Sequence, residues 1–473
     1  MTQEPAERPG APSAVHDAYY KGFVFVLLVS FSPLKMFTYA LPALFTCWML
    51  LRTGQRVIST RPAAILCIGA ATAPVFYALV VDEFLGLNYV LALITYSSFL
   101  PVIVLDGRLF SSPGLLRRLL LVSSVMIAFE GAYGMVQAIY GVSQTGAFSG
   151  GNGDYVDGTI HPSLSAEPTF SNPMFAVNMA LMILACLSLP DVFKGRRRAY
   201  LLVGTAALVL ASVVHVLVFL VAALVGAYVL TRTRTRVRTR SRSSYRNIVI
   251  VLALGGGLVY VALPEDVSGI MSVAESAVDL ETLSVPRAVM LYRVFTDLPA
   301  AAPHQPFVGL GPGQFSSRAS LIASGLYLGG PNAPKGLPMM APQATQLSSE
   351  YCLDLMLAFA DSSEFIGSTH QPFFSFLSVY TELGLIAVIL GLWSIFRIIR
   401  RARARGRADP GLKNQVFLFA TGTIFVVLLG LQENYWEVPQ AILVGLLLLK
   451  VMYANIMYGE VGRTDVALPE APR

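Results

Sequence analysis

Residues 199–231 read AYLLVGTAALVLASVVHVLVFLVAALVGAYVLT, and the length of this apolar stretch constrains how the chain crosses a membrane. The run holds 33 residues without a charged side chain, and basic clusters flank it at Lys194 to Arg198 and at Arg232 to Arg246. A single helix of this length would measure roughly 50 Å, whereas the hydrocarbon core of a membrane is about 30 Å thick. Because basic clusters favour the cytoplasm, both flanks are expected on one side. We therefore predict a tight hairpin of two short helices that turns near Ser212 to His215.

The composition of the whole chain indicates a polytopic membrane protein. Of its 473 residues, 55% are hydrophobic and only 13% are charged, against about 25% charged residues in typical soluble domains. Together with apolar runs from end to end, these proportions exclude a soluble globular enzyme, a disordered chain and a secreted disulfide scaffold. The four cysteines show no spacing typical of a zinc or redox site.

The apolar runs predict an all-α polytopic membrane protein with about 12 transmembrane helices. The expected spans are 20–32, 34–51, 62–80, 86–105, 117–140, 170–189, 199–213, 215–231, 247–263, 370–396, 414–430 and 438–458. Basic clusters separate them, and the positive-inside tendency assigns every cluster to the cytoplasm. The opposite side then carries a medium loop, 141–169, and a long loop, 264–369, between spans 9 and 10. Segments 268–297 and 345–366 have helical apolar spacing, so we expect a small helical cap there.

The predicted organisation has five parts along the chain. They are a disordered cytoplasmic tail, a first transmembrane bundle, the long periplasmic loop, a C-terminal group of three helices and a second cytoplasmic tail, at 1–18, 19–263, 264–369, 370–458 and 459–473. Pro33 and Lys35 interrupt the apolar run 22–51. A turn there gives two crossings and a cytoplasmic N-terminus, whereas a single crossing gives eleven spans and an N-terminus outside.

Polar residues near the outer side supply the candidate functional groups. His370 ends the long loop and begins the tenth span, where its imidazole would lie at the membrane interface. Glu382 follows deeper in the same span, and an ionisable group inside a span is a functional hypothesis by default. A structural hydrogen bond to a neighbouring helix is the alternative for Glu382. Glu167 precedes the sixth span and is either a carboxylate of a substrate cleft or a cap on the helix dipole.

Arginines in the long loop defy the positive-inside tendency and therefore need a reason. Arg287 and Arg293 lie in its first third, and Arg318 lies near its centre. A guanidinium presents a planar fork that binds phosphate oxygens, although ordinary loop surface is the alternative. Residues 306–315 between them, PFVGLGPGQF, are not a dinucleotide fingerprint, because no βαβ unit surrounds them. The arginine run Arg232 to Arg240 has no interleaved aromatic residue, so we interpret it as a topology anchor on anionic lipid.

These residues resemble the core module of the O-antigen ligase and Wzy-type polysaccharide polymerase superfamily. The matching order is Arg287 and Tyr292, then the glycine motif at 306–315, then HQPFF from His370 and YTELGLIA from Tyr380. Each piece is weak alone, but the set is fairly specific and covers about residues 285–400. Outside this module the match is in the span pattern, including the short hairpin and the Glu167-Pro168 region. The family usually carries an arginine where His161 stands.

The resemblance implies a lipid-linked glycan transferase that needs neither a metal nor a cofactor. Its donor would be an oligosaccharide on a polyprenyl diphosphate, presented at the periplasmic face of a bacterial inner membrane. Arginines would clamp the diphosphate leaving group, and a histidine would accept the proton of the acceptor hydroxyl. The residues expected to act in catalysis are His370, Arg287 and Glu167. The residues expected to bind diphosphate or glycan are Arg293, Arg318, His161, Gly311, Gly313, Gln314 and Glu382.

The acceptor separates the alternatives that the resemblance leaves open. A second lipid-linked repeat unit would make the protein a polymerase, which Glu167-Pro168 favours, and lipid A-core would make it a ligase. A transporter or flippase is the rival class. It predicts a binding site at the membrane midplane formed by broken helices, whereas the polar candidates of this sequence collect at the outer side. A partner-binding loop predicts that glycan synthesis does not depend on Arg287 or His370. Expected partners are membrane lipids and polysaccharide assembly proteins such as a chain-length regulator, and nucleic acid is not among them.

Overall fold

The computed structural model describes residues 11–54, 57–146, 155–164, 172–189, 195, 197–232, 286–329, 334–361 and 372–459. Within these ranges the protein is α-helical and has no strand, only an isolated bridge between Ile58 and Leu105. Seven of the described helices are long and apolar enough to cross a membrane: Thr60–Val80, Gly86–Val104, Pro113–Thr145, Val214–Thr231, Ser375–Ala408, Pro410–Leu429 and Pro439–Tyr458. At this level the prediction of an all-α membrane protein is confirmed.

The described α-helices fall into a bundle and a group of short helices between its two parts. The first part of the bundle contains α1 (Ala11–Ser30), α2 (Leu41–Thr53), α3 (Thr60–Val80), α4 (Gly86–Thr95), α5 (Leu100–Val104), α6 (Pro113–Thr145), α7 (Asn172–Leu187), α8 (Arg197–Leu210) and α9 (Val214–Thr231). The short helices are α10 (Pro286–Phe295), α11 (Asp297–Ala301), α12 (Gln305–Val308), α13 (Arg318–Ala323), α14 (Leu326–Gly329), α15 (Gln346–Ser348) and α16 (Asp354–Asp361). The bundle ends with α17 (Ser375–Ala408), α18 (Lys413–Leu429) and α19 (Pro439–Tyr458).

The chain reverses direction at Ser212, where the sequence predicts a hairpin. Helix α8 ends and α9 begins on either side of Ser212, whose φ of 55° lies in the left-handed region. Helix α8 runs parallel to α6, because Gly131 faces Gly204 and, one turn on, Gly134 faces Ala207. The absence of side chains on these glycines lets the two backbones approach closely.

Helix α9 then returns toward the end of the bundle from which α8 started. At its beginning, His215 Nε2 lies 2.8 Å from the hydroxyl of Tyr435, which follows the end of α18. At its end, the carbonyl of Arg232 accepts a hydrogen bond from Arg403 of α17. The two helices thus have the predicted directions, but α8 packs on α6 and α9 packs on α18. The connection between the helices is short, at residues 211–213, but each helix buries its apolar surface mainly against a different neighbour.

The N-terminal apolar run 22–51, for which the sequence left one or two crossings open, also forms two antiparallel helices. The indole of Trp48 in α2 donates a 2.9 Å hydrogen bond to the carbonyl of Ala18 in α1, and Gly22 faces Phe45. The chain therefore turns between the two helices, near Pro33 and Lys35, and the number of membrane crossings stays a prediction. Helix α1 begins at Ala11, before the expected boundary of the tail.

The two ends of the bundle differ in character. At one end, which we call the basic end, the guanidinium of Arg108 lies 5.8 Å from the ring centroid of Tyr458. Arg403 donates a hydrogen bond there to the carbonyl of Arg232, the residue that follows α9. The opposite end, which we call the loop end, carries helices α10 to α16. There Met290, Phe315 and Cys352 are buried in one apolar cluster that joins the short helices to the start of α17.

Several predictions from the sequence lie outside the described residues. They are the ninth span at 247–263, the first part of the long loop to residue 285, Glu167, His370 and the C-terminal tail from residue 460. In the described part of the long loop, Pro286–Phe295 and Gln346–Asp361 are helical and lie within the two segments expected to form a cap.

Candidate functional site

The centre of the candidate site is the short connection Gln432–Glu437 between α18 and α19. It leaves the end of α18 at Gly430 and contains a 3-10 helix, Tyr435–Glu437, before α19 begins. Glu437 is fully buried. Glu433 contributes electrostatically to both Arg287 and Arg318, which come from different short helices. The connection therefore places Glu433 near both arginines and Glu437 beside Arg318 at the loop end.

Arg287 reaches this connection from the first turn of α10. Its guanidinium donates hydrogen bonds to the carbonyls of Leu431 and Gln432, the latter at 3.1 Å. The same group lies 4.7 Å from the ring centroid of Phe374, at the start of the segment that leads into α17. Burial lowers the pKa of Arg287 to about 10, and Glu433 opposes this shift. The side chain therefore remains a cation near neutral pH, in surroundings that strengthen its attraction to an anion.

Arg318 enters the site from α13. Its backbone N–H donates to the carboxylate of Glu437, and its guanidinium lies 4.9 Å from the ring centroid of Tyr327. Burial lowers the pKa of Arg318, but the acidic groups of Tyr39, Tyr327 and Glu437 outweigh burial and raise it above its ordinary value. This guanidinium is therefore a permanent positive charge inside the protein.

Glu437 has the opposite tendency. Burial, followed by the nearby charge of Glu382, raises the pKa of Glu437 to about 8, although Arg318 acts against this rise. The hydroxyl of Tyr96 donates to its other oxygen at 3.3 Å. The raised pKa makes Glu437 a weaker negative charge near neutral pH than an exposed glutamate, so it cancels less of the positive charge of Arg318.

Glu382 supports the loop that carries Arg318. Its side chain is buried, and its oxygens accept hydrogen bonds from the backbone N–H of Gly313 at 2.6 Å, Phe315 at 3.1 Å and Ser317 at 2.9 Å. These three bonds occupy both carboxylate oxygens. Glu382 thus makes structural hydrogen bonds, but to the backbone of a loop and not to a neighbouring helix as the alternative from the sequence proposed. A role for Glu382 in binding substrate stays a prediction.

The glycine motif packs closely against neighbouring backbone. Gly311 and Gly313 have φ values of 104° and 80°, and a Cβ on Gly313 would lie 2.2 Å from the carbonyl oxygen of Asn88. The amide of Gln314 binds the backbone of Leu85 in both directions, at 3.0 and 3.1 Å. These residues fix the loop against α4, and their predicted contact with substrate stays a prediction.

Two other candidates lie in different surroundings. Arg293, on the same helix as Arg287, forms a 2.8 Å ion pair with Asp354 of α16. His161 Nδ1 lies 3.0 Å from the hydroxyl of Ser163 and 3.8 Å from a carboxylate oxygen of Asp157. The backbone carbonyl of His161 accepts a bond from Gln137 of α6. The structure thus groups Arg287 with Arg318 through the Gln432–Glu437 connection, and it gives Arg293 and His161 separate partners.

Sequence reasoning missed the Gln432–Glu437 connection and the groups around Arg318. The signal for the connection was available, because two glutamates in a short link between two apolar spans are unusual. Lys35 and Tyr39 carried no comparable signal, since Lys35 indicated a turn and Tyr39 lay within the predicted span 34–51. Within the described ranges no three metal-ligating side chains cluster, and independence of metals stays a prediction.

No protein-family model and no curated protein matches this chain. The resemblance stated from the motifs therefore stays a prediction, and the function has to be argued from the residues.

Proposed function

We propose that the protein is a membrane glycosyltransferase that polymerises polyprenyl-diphosphate-linked oligosaccharide repeat units into a surface polysaccharide or exopolysaccharide. The observation that carries the proposal is the convergence of Arg287 and Arg318 on the Gln432–Glu437 connection, at the end of the bundle opposite the basic end. In this proposal the chain has about 12 spans in the bacterial inner membrane. The loop end faces the periplasm, where lipid-linked repeat units are presented.

The chemistry asked of the arginines is stabilisation of a leaving group. The acceptor hydroxyl oxygen forms a bond to the anomeric carbon of the donor, and the bond from that carbon to the diphosphate oxygen breaks. Negative charge develops on the departing polyprenyl diphosphate, and a guanidinium can bind two of its oxygens. Because Arg287 is partly removed from water and remains charged, its interaction with the developing charge is stronger than it would be in bulk solvent.

The proton of the acceptor hydroxyl needs a base. We propose His370 for this role, because an imidazole titrates near neutral pH and because Phe374, four residues further along the chain, contacts Arg287. We expect His370→Gln to lower the rate of transfer by at least roughly a hundredfold, while binding of the lipid-linked donor survives. A near wild-type rate in this variant makes Glu167 the next candidate. Loss of donor binding would instead group His370 with the arginines as a phosphate ligand.

The glycine motif and Glu382 have a supporting role in this proposal. Glu382 holds three backbone N–H groups of the loop directly before Arg318, and Gln314 ties the same loop to α4. A substrate-binding cation that is held in this way loses little conformational freedom when the substrate arrives.

Deletion of the gene in the source bacterium, followed by electrophoresis of the surface glycan, tests the proposed function. Loss of long chains with single repeat units still attached to lipid A-core supports a polymerase. Complete absence of repeat units from the core assigns the ligase activity instead. An unchanged glycan would overturn both. Complementation with the wild type and with Lys335→Ala, an exposed lysine of the loop end, should restore the glycan equally.

A further inference from the structure

Two cations and two phenols come together at the loop end in a group that we call the phenol–cation cluster: Lys35, Tyr39, Arg318 and Tyr327. The guanidinium of Arg318 lies 4.9 Å and the ammonium of Lys35 lies 6.0 Å from the ring centroid of Tyr327. Tyr39 lies beside Tyr327 and Arg318. The turn between α1 and α2 supplies one half of the cluster, and helices α13 and α14 supply the other.

Three polar atoms of this cluster are buried without a hydrogen bond of acceptable geometry among the described residues: the hydroxyl oxygens of Tyr39 and Tyr327 and the Nε of Arg318. The two hydroxyls lie beside each other, and Tyr327 lies beside Arg318, so their contacts within the cluster leave these groups poorly paired. Buried polar groups are paired in the great majority of cases, so three orphaned groups in one place need an explanation. All three can donate a hydrogen bond. An acceptor that is not part of the protein would satisfy them together.

The charge of the cluster specifies the kind of acceptor. Burial alone would raise the pKa of Tyr327, yet Arg318 and Lys35 lower it below its ordinary value. The phenol therefore experiences a strong positive potential. Two carboxylates oppose this potential, because Glu437 and Glu433 also act on Arg318. Burial raises the pKa of Glu437 and so weakens its negative charge near neutral pH, and Glu433 is shared with Arg287. Two cations with two phenol donors match a compact oxyanion of the phosphate class.

This cluster is distinct from the surroundings of Arg287. Arg287 bonds the carbonyl of Gln432 and stacks on Phe374. Arg318 instead lies beside Tyr327 of α14 and beside Tyr39, which belongs to the turn between α1 and α2. Glu433 acts on both arginines and so lies between the two positions. One diphosphate at Arg287 would leave the orphaned donors of the cluster unused.

We propose that the phenol–cation cluster binds a second diphosphate, that of the lipid-linked acceptor, while Arg287 binds that of the donor. The identity of the acceptor rests on the proposed function, whereas the existence of an oxyanion site does not. In a polymerase both substrates carry a polyprenyl diphosphate, so two positions are required. Free diphosphate in the periplasm presents the same oxygens, and the experiment must separate the two sources.

Binding of farnesyl diphosphate to the purified full chain in nanodiscs, measured by calorimetry, tests the proposal. We expect two molecules per wild-type chain and one per chain in the double variant Tyr39→Phe, Tyr327→Phe, which keeps both rings. Lys35→Met should weaken the second binding event roughly tenfold, as loss of one charge-assisted contact does. Lys335→Met, an exposed lysine of the same end, and Tyr458→Phe, at the basic end, serve as matched controls without effect.

Each outcome decides a separate point. Unchanged stoichiometry and affinity in both cluster variants, with thermal stability intact, would overturn the site. Failure of the wild type to bind a second diphosphate would overturn it equally. Inorganic pyrophosphate binding the cluster as tightly as farnesyl diphosphate would overturn the lipid-linked source, since the polyprenyl chain then contributes nothing. These results do not depend on the glycan of the deletion strain, so the proposed function can fail while the oxyanion site stands.

Discussion

Two polar regions lie next to each other at the loop end, and they differ in whether their buried donors form hydrogen bonds. Around Glu382, three backbone N–H groups meet a carboxylate that accepts from all of them. In the phenol–cation cluster, three buried donor groups form no hydrogen bond of acceptable geometry with the described residues. The same stretch of chain contributes to both, since Ser317 donates to Glu382 and Arg318, the next residue, belongs to the cluster. The contrast is therefore not a difference between two domains.

The difference indicates which region is scaffold and which is prepared for a ligand. A fully satisfied buried network is rigid, and its members are difficult to replace. A buried donor without an acceptor lowers stability and persists in a protein only if something else requires it. Substitutions should then have opposite effects in the two regions: loss of structure around Glu382, and loss of binding with retained structure in the cluster.

The largest expected effect is that of Glu382→Ala. It leaves three buried N–H groups without an acceptor, each at a cost of about 1–3 kcal/mol, so little folded protein should remain. The measurement is the yield of monodisperse protein and its melting temperature in detergent. Glu350→Ala, an exposed glutamate of the same loop end, is the control and should behave as the wild type. A stable Glu382→Ala variant would show that the glycine loop is held by other contacts.

Arg287→Ala should have the next largest effect, on transfer rather than folding. Removal of one group that stabilises the developing charge is expected to lower the rate about 100- to 1,000-fold, with normal expression. Arg287→Lys should recover little, because lysine cannot bind two oxygens in a fork. The assay is glycan formation in the complemented deletion strain. Near-normal activity with lysine would assign a point-charge role, and normal activity with alanine would remove Arg287 from the site.

Gly384 tests how the scaffold carries the loop. It breaks the helical path of α17 with φ 76° and ψ 173°, and a Cβ there would lie 2.2 Å from the carbonyl oxygen of Phe307. Gly384→Ala should therefore destabilise the protein by at least about 2 kcal/mol. Gly391→Ala, on the same helix with open space around it, should leave stability unchanged or slightly higher. Equal melting temperatures for the two variants would contradict the close packing of α17 against α12.

Those parts of the architecture that depend on the length of apolar runs and on the position of charges could be predicted from the sequence. The reversal at Ser212 was predictable, because an apolar run too long for one crossing lay between two basic clusters. The break at Gly384 was not, because residues 370–396 read as one continuous apolar span and the break depends on a contact with Phe307. Arg287 and Arg318 were predictable as candidates, because arginines in the long loop defy the positive-inside tendency.

The partners of those arginines could not be predicted in the same way. Lys35 and Tyr39 are far from Tyr327 in the sequence, and neither residue type is unusual at the end of a span. Their meeting depends on how the turn between α1 and α2 lies against α13 and α14. A pattern within one segment carries no information on such a contact, and unsatisfied donors are visible only once every neighbour is placed.

The smallest expected effect concerns two buried tyrosines, whose replacement by phenylalanine should change the free energy of unfolding in opposite directions. Tyr39 and Tyr77 are 9% and 7% exposed. The hydroxyl of Tyr77 donates to the carbonyl of Val308 at 2.7 Å, whereas that of Tyr39 forms no hydrogen bond of acceptable geometry with the described residues. Tyr77→Phe should therefore lower the free energy of unfolding by about 1 kcal/mol, and Tyr39→Phe should leave it unchanged or raise it by up to about 1 kcal/mol. Thermal denaturation in detergent without phosphate measures both. An equal loss in the two variants would mean that Tyr39 is satisfied within the protein, and the contrast between scaffold and cluster would not hold.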